Sequence, residues 1–259
     1  GLQGAKANGA LALTELYDLI DLKLPAGAKP QILQEQFCEE MQDWRPADHH
    51  RKIMDWAIAN HSPVLTTNFD DVLAKAAGAK LRSMFQPPGS LKGPTDYYPW
   101  EKYFGVSELA DPCDGFGIWH INGLMHHIRS IRLGLTHYMG AVSRARPWIH
   151  GSKETRLFTQ KNMRDWRGRD TWLHIVFNMP LLILGLRLGT EEVFLRWLLI
   201  ERAKYFRLFP DRRLPAWYVY PAAEDGDDDR AKRFFLSSLE ITPIEVENYG
   251  DIYSLSEWN

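Results

Sequence analysis

Three apolar runs in this chain end on small or polar residues, and those ends carry the groups able to do chemistry. Pro63-Val64-Leu65 leads into Thr66-Thr67-Asn68-Phe69-Asp70. Gly117-Ile118-Trp119 leads through His120 to Asn122-Gly123, and Leu181-Leu182-Ile183-Leu184 leads to Gly185-Leu186-Arg187. Hydroxyls, an amide and a carboxylate together offer the donors and acceptors that hold a polar ligand. Asn68 or Asp70 can equally well cap a following helix. His120 can move a proton near neutral pH, whereas the Asn122 amide has none to exchange there. Arg187 can meet a phosphate or remain a solvated surface charge.

Elements must carry these groups to one place. Short runs rich in β-branched and aromatic residues predict strands, and in open α/β sheets ligands bind outside the carboxyl ends of strands. Strands alternating with helical patterns predict an α/β chain, a doubly wound, mostly parallel Rossmann-like sheet in one domain over residues 1–259. Residues 179–184, apolar throughout, predict a strand buried on both faces. A further short strand is expected over 131–135, with Thr136 as the cap of the next helix. Helical spacing marks 13–20, and 30–44 with Ile32, Leu33, Phe37, Met41 and Trp44 inward. It also marks 50–60 with Ile53, Met54, Ala57 and Ile58 inward, and 193–206 with Thr190 as its cap. His49 and His50 are adjacent on a helix and point different ways, which favours a surface role over a metal pair. Residues 83–116 predict an irregular, aromatic-anchored excursion from the sheet. Residues 140–178 predict a helical insert with Trp166, Trp172, Leu173, Val176 and Phe177 as its apolar stripe.

Composition narrows the function classes. With 259 residues, 45% hydrophobic and 25% charged, the chain is ordinary for a globular protein. A formal net charge of −2 argues against a nucleic-acid partner or an anionic membrane surface. The basic stretch 164–169 is expected to be a solvated face. Two distant cysteines, Cys38 and Cys113, supply neither a four-cysteine zinc site nor a disulfide framework, and favour a reducing, cytoplasmic setting. No apolar run has the length of a membrane span. The acidic run 224–229 lacks the spacing of a calcium loop and suits the start of the 230–239 helix.

From about residue 64 onward, the three motifs resemble those of sirtuin-like proteins. Thr66-Thr67-Asn68-Phe69-Asp70 is similar to that family's Thr-x-Asn-x-Asp. There the Asn contacts the ribose beside nicotinamide and its water, and the Asp holds the carboxamide. Asn122-Gly123 stands at the family's His-Gly pair, and Ser130-Ile131-Arg132-Leu133 up to Tyr138 is similar to the stretch that follows it in the bacterial branch. Gly185-Leu186-Arg187-Leu188 matches Gly-x-Ser-Leu, on the adenosine side of the dinucleotide, with Arg in place of Ser. The resemblance also implies a Gly-rich turn before the first helix, for which Gly4 and Gly9 are candidates.

The resemblance implies a zinc-less bacterial NAD hydrolase that cleaves the nicotinamide–ribose bond. Such enzymes are often NAD-depleting effectors of anti-phage defence, acting as oligomers or with a partner such as an ATPase. Asn122 occupies the position of the family's catalytic His. Either that His has been replaced, or the chain is a binding-only relative, or His120, two residues earlier on the same strand face, does its work. The alternative from another class is a sensor that binds NAD or ADP-ribose without turnover and gates a partner.

Overall fold

A computed structural model describes residues 11–29, 31–84, 97–151, 154–159, 165–222 and 227–254. Gly4 and Gly9 lie outside the described residues, as does the first half of the acidic run at 224–229.

The chain forms an α/β fold with two sheets. Helices α1 (Leu13–Asp21), α2 (Ile32–Met41) and α3 (Asp48–Ala59) precede β1 (Val64–Thr66). Then come α4 (Val72–Ala77), β2 (Lys80–Ser83), β3 (Lys102–Gly105) and β4 (Ile118–His120). The first sheet has the order β1-β4-β3-β2, with β1 and β4 parallel and the other pairs antiparallel. After a 3₁₀ turn (Ile128–Ser130) run α5 (Leu135–His150), α6 (Trp172–Asn178), β5 (Leu181–Ile183) and α7 (Val193–Leu208). The chain closes with β6 (Ala216–Pro221), α8 (Asp227–Ser238), β7 (Thr242–Val246) and α9 (Asp251–Ser254). β5, β6 and β7 form a second, wholly parallel sheet in that order.

Successive residues of a strand point to opposite faces, and β4 makes the consequence visible. Ile118 packs with Met54 and Ala57 of α3 and Ala74 of α4. Its neighbour Trp119 packs with residues of α5, α6 and α7, stacked on Tyr103 at 4.9 Å. Helices therefore cover both faces of the first sheet. The larger core also takes Ala216, Tyr218 and Tyr220 from β6, so one apolar body joins the two sheets. Its centre is aromatic, with Trp100 and Trp172 edge to face at 5.6 Å.

Several expectations need correction. No strand forms over 131–135; Ile131 is fully buried beside Cys38 and Met41, and α5 starts at Leu135 with Gly134 before it, leaving Thr136 inside the helix. The aromatic excursion returns as a strand, because Tyr103 and Phe104 of β3 pack on opposite faces of the first sheet. α2 buries Gln34, Cys38 and Met41, while Phe37 and Trp44 stay exposed. The 140–178 insert is not one helix, since α5 ends at His150 and turns lead to α6; its aromatic stripe is core. Thr190 does not cap α7, which begins after Glu192. β5 is not buried on both faces: Leu182 is 46% exposed, because β5 is an edge strand. No helix among the described residues is long and apolar enough to cross a membrane.

Glu101, beside β3, is a buried acid whose Oε1 finds no hydrogen-bond partner among the described residues. Burial pushes its carboxyl up to about 7, against smaller opposing effects from its own backbone and Lys102. The folded state thus holds a proton that the unfolded chain releases near pH 4.5. The associated stability is present below that pH and is lost as pH rises through about 7. Between pH 5 and 8.5, the fall in urea midpoint should accordingly be smaller for Glu101→Gln than for the parent. The expected difference corresponds to on the order of 1–3 kcal/mol.

Candidate functional site

The parallel register sets Thr66 of β1 opposite His120 of β4, bringing both carboxyl ends to one edge. Beyond β1 the backbone is held by its own side chains. The Asn68 N–H donates to Thr66 Oγ1 at 3.1 Å, and Asp70 Oδ1 accepts from the Val72 N–H at 2.9 Å at the start of α4. Asp70 therefore has the capping role open to it from sequence. It also lines the cleft described below.

Both candidate proton-transfer positions on β4 are buried and engaged. His120 Nε2 lies 2.8 Å from the Asp70 carbonyl oxygen. A carbonyl only accepts, so Nε2 carries the proton. Burial lowers the His120 pKa despite the opposing pull of Asp70 and Asp71, so its ring is neutral at pH 7. Asn122 is buried, its Nδ2 reaches the Thr67 carbonyl at 3.5 Å, and its own carbonyl accepts from the Arg132 N–H at 2.9 Å. Gly123 has φ +113°, and a Cβ there would overlap the Ser130 carbonyl. That close approach lets Ser130 Oγ accept from the Leu124 N–H at 2.9 Å.

The other bank of the cleft follows β5. Gly185 has φ +65° and is covered by the Tyr253 hydroxyl, while the Tyr249 hydroxyl donates to its carbonyl at 3.5 Å. Between the banks runs a groove of about 990 Å³. It is lined by Thr66, Thr67, Asn68 and Asp70 on one side and by Gly185 on the other. These residues, read separately from the sequence, are thus brought together. His120, Asn122, Gly123 and Arg187 are not on the lining. Arg187 is exposed and forms no ion pair among the described residues.

Two features escaped the sequence. His50 is half-buried and lines the groove, close enough to feel the Asp70 charge, which corrects its expected surface role. Burial lowers its pKa, with His49 acting the same way, and its Nδ1 accepts from the Ala47 N–H at 3.0 Å. His49 lines the same groove with its ring 4.0 Å from that of His50, so the two side chains do not diverge as adjacency on a helix led one to expect.

The second feature is a cluster of Asp111, Cys113 and His174, with ligand atoms all within 4.8 Å of one another. Asp111 and Cys113 are close in sequence, but His174 is too far along the chain to signal a cluster with them. His174 Nδ1 accepts from Trp166 Nε1–H at 2.9 Å, leaving Nε2–H towards Asp111 at 3.7 Å, and Arg169 also pairs with Asp111. Burial, with help from Asp111 and Asp114, pushes the Cys113 thiol up to about 12. In this state the cluster is a protonated structural tie; holding a metal would require Cys113 and His174 Nε2 to lose their protons.

Gly123→Ala should cost more than about 2 kcal/mol in urea unfolding, because positive φ and a collision with backbone act together. Gly185→Ala should cost about 1 kcal/mol, since the obstructing atom is the far end of a tyrosine. Equal costs at the two positions would show that backbone contact at Gly123 does not govern the turn.

No family model, no curated protein and no solved structure matches the chain. Its function is read from the geometry of this edge.

Proposed function

We propose that the chain is a sirtuin-like NAD-binding protein with the site of an NAD hydrolase, its two sheets being the halves of a doubly wound, Rossmann-like fold. One observation carries this reading: Thr66, Thr67, Asn68 and Asp70 on one bank and Gly185 on the other line a single groove at the strand ends. A dinucleotide lies across such an edge. On this reading Asp70 holds the nicotinamide carboxamide, Asn68 and the threonines hold the ribose hydroxyls and a water, and the Gly185 turn meets the adenosine half.

Cleaving the nicotinamide–ribose bond passes through an oxocarbenium-like state and needs a group that takes a proton from the attacking water. Asn122 offers none. His120 is buried with Nε2–H given to Asp70, and His50 has Nδ1 occupied. We therefore propose that NAD is bound and cleaved slowly, at a hydrolase site weakened at position 122. NAD depletion in anti-phage defence is the biological role that goes with this reading. A sensor that holds NAD or ADP-ribose and gates a partner such as an ATPase is the second reading. It is favoured by the burial and engagement of both His120 and Asn122.

NAD affinity by calorimetry and nicotinamide release should be measured together. Asn122 lies behind the lining but its side chain reaches the carbonyl of the lining residue Thr67, so Asn122→His is expected to raise cleavage by about 10²-fold or more, the usual worth of a positioned acid–base group. Asn68→Ala in that background should remove most of the gain, and His120→Ala alone should change turnover little. Binding by both proteins with cleavage by neither selects the sensor reading. Absence of NAD binding, or fast parental turnover abolished by His120→Ala, overturns the assignment of the site.

A further inference from the structure

Away from the groove, arginines alternate with aromatic rings. The Arg129 guanidinium lies 4.1 Å over the Tyr97 ring, and that of Arg132 lies 4.6 Å over Tyr98. Arg144 of α5 sits between two rings, 5.8 Å from Tyr98 and 5.3 Å from Trp148. Arg167 lies 5.4 Å over Trp148. Arg144 and Trp148 are four residues apart on α5 and so share a face. The other members come from the segment before β3, the 3₁₀ turn and the segment before α6. Trp100 backs the run, edge to face with Tyr98 at 5.3 Å and with Trp148 at 5.4 Å.

The charges in this run lack anionic partners. None of its four arginines forms an ion pair among the described residues. Elsewhere the chain does pair such groups, Arg169 with Asp111 and Arg82 with Glu108. Arg132 is 5% exposed, and its guanidinium donates to the main-chain carbonyls of Arg129 and Tyr97. Burial lowers its pKa, and the neighbours opposing that are Tyr98, Tyr138 and Tyr97 rather than a carboxylate. Arg144 has a buried Nε with no hydrogen-bond partner among the described residues. Clustered like charges repel, and a buried charge without a counter-charge is costly, so an anion brought here relieves both. The formal net charge of −2 sums over the whole chain and misses this face, because salt screens each charge beyond about 8 Å.

We propose that this face binds single-stranded nucleic acid, its guanidiniums meeting phosphates and its rings stacking on bases. A guanidinium stacked on a ring keeps its edge N–H groups free for phosphate oxygens. Arg129 and Arg167 are exposed, and Tyr97 stays 40% exposed with Arg129 over it, so cations and a ring are presented together. That combination suits unpaired bases, which offer their faces to aromatic side chains. None of these residues lines the groove, so the proposal is independent of what binds there.

Fluorescence anisotropy of a labelled oligothymidylate of about 15 residues tests it. Log affinity should fall with log salt at a slope of about −2, as when three guanidiniums each neutralise one phosphate. Arg167→Gln should make that slope shallower by about 0.7. Tyr97→Ala should weaken binding about fivefold or more with the slope unchanged, because stacking on a base releases no counterion. Both side chains are exposed, and an unchanged urea midpoint would show that each variant folds as the parent does. No binding at about 0.1 mM protein and about 50 mM salt would overturn the proposal. Affinity indifferent to Tyr97→Ala would also overturn it, in favour of a patch that takes any polyanion, heparin included. Tighter binding of a duplex of equal length would do the same, since paired bases cannot stack on the rings.

Discussion

The structure depends most on β4 being buried on both faces. Ile118 and Trp119 are each completely inaccessible, one on either side of the first sheet. Fully burying one such side chain is worth about 1.5–3 kcal/mol, so a short strand with both faces occupied anchors two helical layers. β1 pairs in parallel with this strand, and the register puts Thr66 beside His120. The loop after β1 is then tied down by the His120 to Asp70 bond at 2.8 Å and by the Met125 to Phe69 backbone bond at 2.9 Å. The polar edge is a consequence of the apolar strand beneath it.

The same burial explains the electrostatics of the edge. Desolvation dominates at His120 and outweighs two nearby carboxylates. A ring held neutral, with its proton committed to a main-chain oxygen, positions a loop well but exchanges protons poorly. Asn122 is constrained in a similar way between the Thr67 and Arg132 backbones. The polar side chains that line the groove include Thr67, Asn68, Asp70, His49 and His50. On the proposed reading these are the groups that hold the polar ligand.

The groove itself reflects a mismatch between local composition and environment. Strand segments rich in Val, Leu and Ile normally lie inside a sheet. Here β1 and β5 stand at the edges of their sheets among the described residues, so aliphatic side chains stay partly open to the groove. The two sheets are nevertheless one packed body, because β6 and α7 contribute to the aromatic core that also receives Trp119.

By itself, the sequence determined what is local. Short apolar runs with β-branched and aromatic residues place β1, β4 and β5, and helical spacing places α1, α3 and α7. Gly123 and Gly185 stand where the backbone takes positive φ, a conformation that other residues adopt only with strain. The Thr66–Asp70 turn was legible for the same reason, since its hydrogen bonds span only two residues. The tertiary structure decided everything that depends on partners distant in the chain. An apolar strand looks the same in sequence whether its neighbour is present or not, so the exposure of β5 could not be read. Nor could the placing of Tyr103 and Phe104 in a strand, His50 against the Asp70 charge, or Asp111 and Cys113 beside His174. Each is set by pairing register and helix packing, and short-range periodicity carries no information about either.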